Sequence, residues 1–111
     1  MNTSYYAKSG DHPNAVSIAG RAPADFTGRE CKKLAPRLWF FKKYKLDGDT
    51  EFYTQQYQSE VLDQLDPQEI LWEVGEDAVL LCWEKPGKFC HRHLVAKWLS
   101  EKLGIEVTEL K

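Results

Sequence analysis

The run Ala78-Val79-Leu80-Leu81-Cys82-Trp83 constrains the fold more than any other stretch. It is apolar without a break and shows no alternation with polar residues. A half-exposed strand would alternate, and an amphipathic helix would space its apolar residues three and four apart. A short unbroken run bounded by a turn suits a strand covered on both faces, as in parallel sheets. The run is also far too short to span a bilayer, so no membrane partner is expected.

The flanking segments extend this reading. Glu84 and a Lys85-Pro86-Gly87-Lys88 turn follow the run, and Cys90, His91, Arg92 and His93 then stand where a helix should begin. Leu94, Val95, Trp98, Leu99 and Leu103 recur at helical spacing, and Gly104 stops that helix. Phe89 is placed to pack as a hydrophobic staple before it. Ile105 and Val107 alternate with Glu106 and Thr108, which predicts a half-buried edge strand. Upstream, residues 4–8 and 15–19 read as two strands separated by Gly10 and Pro13. Gly20-Arg21-Ala22-Pro23 ends the second strand and leaves Arg21 in a loop.

Between these strands lies a mostly helical crossover. Residues 29–45 mix seven bases with Trp39, Phe40, Phe41 and Tyr44, and Pro36 suits the first turn of a helix there. Asp47-Gly48-Asp49 is a turn, and Asp49 or Thr50 can cap the next helix, whose stripe is Tyr53, Tyr57 and Val61. Asp66-Pro67-Gln68-Glu69 has the spacing of a capping box with proline at the first helical position, and Gly75 closes that short helix. The order strand, strand, helical crossover, strand, helix, strand predicts one α/β domain over residues 1–111. It would be a small three-layer, Rossmann-like sandwich of about four strands in a mostly parallel sheet. Right-handed crossovers would bring the ends of strands 15–19 and 78–83 to one edge. Arg21 and the segment Glu84 to Arg92 would then face each other across the crevice where ligands of such sheets bind.

Charge is blocked along the chain. Residues 1–45 hold nine Lys/Arg against three Asp/Glu, residues 46–77 hold ten acids and no base, and the remainder is nearly balanced. Such blocks suit either a polyanion-binding face or mutual satisfaction within one fold, and the helical patterning of the acidic block favours the second. Three cysteines (Cys31, Cys82, Cys90) and an N-terminus without an apolar leader point to reduced thiols and a cytoplasmic location. A single Cys82–Cys90 disulfide is the alternative in an oxidising setting.

The cluster at residues 82–93 offers several chemistries. Unpaired N–H groups at the start of the helix attract an anion, and Arg92, Arg21 and Lys88 are expected to bind it. The same field would activate the Cys90 thiol. His91 would act as an acid or base near neutral pH, with Glu84 orienting it or serving as a base itself. The turn lacks the Walker spacing. Cys82 is expected to pack in the strand and His93 to stay solvated or hydrogen-bonded, so both are secondary to the site. Trp83 and Trp98 are expected in the core.

Zinc is the other option, since Cys82, Cys90, His91 and His93 are all acceptable ligands. Their spacing is not that of a zinc finger, and adjacent helical residues point about 100° apart. A site using all four is therefore awkward, and only two or three with a water would serve. No metal ligand is assigned on this basis and no cofactor is identified.

Residues 80–99, LLCWEKPGKFCHRHLVAKWL, resemble the signature of the DUF488 family, in which a strand ending LLC(x)E is followed by CHR at a helix start. The resemblance extends to VSIAGRAP at residues 16–23 and to the segment around Tyr53 and Tyr57. The signature positions are Leu80, Leu81, Cys82, Glu84, Cys90, His91 and Arg92. The resemblance implies a site at these residues and supplies no substrate. The expectation is a phosphate-bearing ligand, either a nucleotide or a nucleic acid, held at the strand-end crevice, with acid/base or thiol chemistry. A non-catalytic nucleic-acid module using the basic aromatic residues 29–45 and a zinc-dependent protein stand as alternatives.

Overall fold

The computed structural model describes residues 1–110. Five strands, β1 (Asn2–Tyr5), β2 (Ala15–Ser17), β3 (Arg29–Glu30), β4 (Val79–Cys82) and β5 (Thr108–Glu109), form one sheet of order β3-β2-β4-β1-β5. Every pairing is parallel. The helices are α1 (Tyr6–Ser9), α2 (Leu38–Asp47), α3 (Thr50–Glu60), α4 (Pro67–Val74) and α5 (His91–Leu103). The fold is the α/β architecture expected from the order of elements. No helix among the described residues is long and apolar enough to cross a membrane.

β4 lies at the centre of the sheet, and all four of its side chains are buried. Its pleat divides them: Leu80 joins the larger core with Val16, while Val79 and Leu81 join the smaller core on the opposite face. This two-sided burial explains the absence of alternation. The two faces are covered unequally. α2 to α5 supply Phe40, Tyr57, Ile70, Val95 and Leu99 to the larger core, and Tyr6 of α1 with Phe26 covers the other face. Each such fully buried apolar side chain contributes about 1.5–3 kcal/mol.

Local chemistry sets the helix limits. Gly48 takes the left-handed conformation (φ 66°) that ends α2, and its N–H bonds the Tyr44 carbonyl. Asp49 caps α3 by accepting from the Phe52 N–H, and Asp66 caps α4 from the Gln68 N–H with Pro67 at the first helical position.

Five features depart from expectation, one being the last strand, which pairs at Thr108–Glu109 while Ile105 and Val107 of the expected alternation precede it. The first strand lies at residues 2–5 rather than 4–8, because Tyr6 turns at once into α1, where its hydroxyl meets Ser17 Oγ at 2.6 Å. β3 is an additional two-residue strand beside β2, inside the basic segment. α2 begins at Leu38, with Pro36 outside it. Trp83 is not a core residue: it is 54% exposed and donates its indole N–H to the Arg21 carbonyl at 2.8 Å.

Candidate functional site

The chain leaves β2 toward β3 on one side, and leaves β4 through α5 toward β5 on the other. β2 and β4 are neighbours, so their outgoing connections diverge between them and open a crevice at their carboxyl ends. A cavity of about 500 Å³ lies there, a size ordinary for small-molecule sites. Arg21 from the β2 loop borders it, as do Cys82 and Glu84 from the end of β4 and Cys90 and His91 from the start of α5. The crevice expected from the topology thus gathers five of the expected site residues.

The cavity's other wall comes from α2. Leu38, Phe41, Tyr44 and Lys45 face it, and Tyr53 and Phe89 close its inner side. Phe89 packs against the rings of Tyr44 and Tyr53, with centroids 5.2 and 5.1 Å away. Lys45 Nζ lies 3.7 Å from Glu84 Oε1 and 5.2 Å from the Phe41 ring centroid. Sequence reading weighed residues 38–45 only as a helix or a nucleic-acid segment, set Tyr53 on the stripe of the next helix and Phe89 as a staple, and missed their shared place in the cavity. A signal was present, since positions 38, 41 and 45 recur at helical spacing on one face.

Other bases of this segment are engaged within the fold. Lys33 pairs with Glu73 at 2.8 Å, Lys43 with Asp47 at 2.6 Å, and Lys32 with Glu30 at 3.6 Å. Two of these pairs, Lys33–Glu73 and Lys43–Asp47, join the basic block to the acidic one.

Cys90 and His91 open α5. Cys90 is its N-cap, with extended backbone (φ −152°, ψ 143°), and no side chain caps the helix. Because Cys90 is not helical, the angular rule for adjacent helical residues does not hold, and its Sγ lies 3.8 Å from His91 Nδ1. Cys82 and Cys90 are joined as a disulfide, where reduced thiols were expected, with Cα atoms 7.2 Å apart. Disulfides usually span 4.4–6.8 Å between Cα atoms, roughly, so these backbones stand wide.

His91 is buried, and its Nε2 lies 2.7 Å from the Ile18 carbonyl oxygen. A carbonyl can only accept, so Nε2 carries the hydrogen and Nδ1 presents a lone pair toward Cys90. Burial pushes the His91 pKa down to about 4, against the Ile18 hydrogen bond, and the charge of Arg92 lowers it further. The ring is neutral near pH 7. The expectation that it titrates near neutrality does not match this environment.

Arg92 departs furthest from its expected role. It is fully buried and does not border the cavity. Its Nε and Nη2 donate to the two carboxylate oxygens of Glu109 at 3.1 and 2.9 Å. Nη1 donates to the Glu84 carbonyl at 2.6 Å and to Cys82 Sγ at 3.1 Å. The guanidinium that was expected to hold an anion instead fastens β5 to the ends of β4 and α5. Burial raises the Glu109 carboxyl, but hydrogen bonds from Arg92 and Thr3 outweigh it and hold the group below its ordinary pKa. Lys88 is exposed in the turn and His93 is exposed on α5, both outside the cavity.

A family model described as the active DUF488-N3 subclade matches residues 9–103. The chain belongs to the DUF488 family. No curated protein and no solved structure matches it. All seven signature positions, Leu80 to Arg92, fall within the DUF488 match, and four of them, Cys82, Glu84, Cys90 and His91, border the cavity.

Proposed function

We propose that this DUF488 protein binds a phosphate-bearing ligand, a nucleotide or the end of a nucleic acid, in the cavity between β2, β4, α2 and α5. One observation carries the reading: a single cavity combines aromatic faces (Phe41, Tyr44, Trp83) with two cations, Arg21 and Lys45, beside Glu84, Cys90 and His91. A planar base would stack on the aromatic wall. Its phosphate would meet Arg21, Lys45 and the uncapped N–H groups at the start of α5.

The description of the matched subclade as active favours a catalytic protein. Glu84, drawn to Lys45, is the candidate acid or base, and Cys90 in its reduced form is the candidate nucleophile. The neutral His91 suits orientation of its neighbours better than proton abstraction. Arg92 supports the site from behind, through the Glu84 carbonyl.

The test is calorimetric titration of the full chain with nucleoside mono-, di- and triphosphates, the parent nucleosides, short oligonucleotides and inorganic phosphate. A phosphorylated ligand should bind at least about tenfold tighter than its nucleoside, since a charged hydrogen bond contributes about 1.5–3 kcal/mol. Arg21→Ala with Lys45→Ala should erase that difference. Absence of binding across the panel, or affinity indifferent to both substitutions, would sink the proposal.

A further inference from the structure

The geometry points to a metal site: we infer that Cys82, Cys90 and His91, in the reduced protein, bind one zinc-class divalent ion, with a fourth position open to the cavity. The two Sγ atoms and a ring nitrogen of His91 all lie within 4.8 Å of one another, and all three residues are buried. Zinc binds thiolate sulfur at about 2.3 Å and imidazole nitrogen at about 2.1 Å. Two such bonds at the tetrahedral angle place sulfur and nitrogen about 3.6 Å apart. The 3.8 Å between Cys90 Sγ and His91 Nδ1 is close to that span.

The cysteine pair also suits an ion. Two thiolates on one tetrahedral ion stand about 3.7 Å apart. Such a pair needs no closer approach of the backbones than the 7.2 Å between these Cα atoms, which exceeds the usual disulfide span. Reduction comes first. A thiol reductant supplies two electrons and two protons to the Cys82–Cys90 bond and is itself oxidised to a disulfide. Both thiols then release their protons to solvent as the ion binds.

The surroundings are those of a prepared ligand set. Metal-bound histidines commonly donate their other ring N–H to a carbonyl, and His91 Nε2 does so to Ile18, which leaves Nδ1 as the free donor atom. Arg92 Nη1 donates to Cys82 Sγ at 3.1 Å, a bond that favours a thiolate. Cys90, at the N-terminus of a 13-residue helix, sits in a field with the same effect. Two thiolates neutralise a divalent ion, and Glu109 neutralises Arg92, so the buried assembly carries no net charge. Three protein ligands with a face toward a cavity are the pattern of a catalytic rather than a structural zinc site.

This inference does not rest on the phosphate-ligand reading, and its test uses the metal alone. The full chain is reduced, stripped with a chelator and titrated with Co²⁺ under inert gas. One equivalent should give thiolate-to-cobalt charge-transfer absorption and the intense visible bands of four-coordinate cobalt, both abolished by Zn²⁺. Cys90→Ser and His91→Ala should each weaken binding by about 100-fold or more. Cys31→Ser should leave the spectrum unchanged, since that thiol donates to Glu73 elsewhere. Circular dichroism establishes that each variant is folded. A reduced, folded wild-type chain that gives no cobalt–thiolate band would overturn the inference. So would a band unchanged in Cys90→Ser.

Discussion

Replacing Arg92 by methionine separates a guanidinium that serves the fold from one that serves a ligand. The side chain is fully buried and makes four hydrogen bonds, two to the Glu109 carboxylate and one each to the Glu84 carbonyl and Cys82 Sγ. Methionine keeps most of the stem's packing but removes every donor. Glu109 then loses its cation and keeps the Thr3 hydroxyl at 2.6 Å, while the Glu84 carbonyl loses its Nη1 donor. Breaking a buried ion pair costs about 3–5 kcal/mol. The Glu109 side chain is 26% exposed and can turn partly to water, so the lower end, about 3 kcal/mol, is expected. For a domain of this size that is a large share of total stability and lowers Tm by roughly 10–15 °C. The assay is urea unfolding of wild type, Arg92→Met, Glu109→Gln and the double variant. The cycle should return a coupling of at least about 2 kcal/mol. An Arg92→Met protein within about 0.5 kcal/mol of wild type that fails to bind phosphorylated ligand would refute the structural assignment. An additive cycle would refute the Glu109 pairing.

Two further outcomes follow from buried groups. In chelator-treated protein, burial holds His91 near pKa 4, against about 6.5 in an unfolded chain. The unfolded state therefore takes up the proton first as pH falls. Stability is full above about pH 6.5 and drains by roughly 3 kcal/mol toward pH 4. Urea midpoints between pH 7 and 4 should fall more steeply for wild type than for His91→Gln, and parallel curves would contradict the assignment. Tyr57 is fully buried and donates its hydroxyl to the Leu34 carbonyl, which anchors α3 to the turn before α2. Tyr57→Phe strands that carbonyl and should cost about 1–3 kcal/mol in the same assay; an unchanged midpoint would mean the carbonyl finds another donor.

The α/β class and the crevice were legible because their causes are local. Two-sided burial of β4 removes alternation, Asp66 marks a helix start by capping it with its carboxylate ahead of Pro67, and Gly48 marks a helix end by taking the left-handed conformation. β3 was not legible, because Arg29 and Glu30 are both exposed and have no apolar pattern. Their strand exists because β2 offers an edge to pair with. Trp83 illustrates the same limit. It directly follows Cys82 in the apolar run, but β4 has ended, and Trp83 stands at the cavity mouth with its N–H on the Arg21 loop.

The site shows why adjacency in sequence both overstates and understates a constellation. Cys90, His91, Arg92 and His93 look like one cluster, but the start of a helix spreads them. Extended backbone at Cys90 lets its sulfur meet His91 at the cavity. From His91 onward each residue turns about 100° about the axis. Arg92 is therefore carried to Glu109, 17 positions away, and His93 to solvent. In their place the fold brings Phe41, Tyr44 and Lys45 across the crevice from a helix more than forty residues earlier. Residue chemistry located the strand-end crevice; the divergence of the chain between β2 and β4 decided which side chains share it.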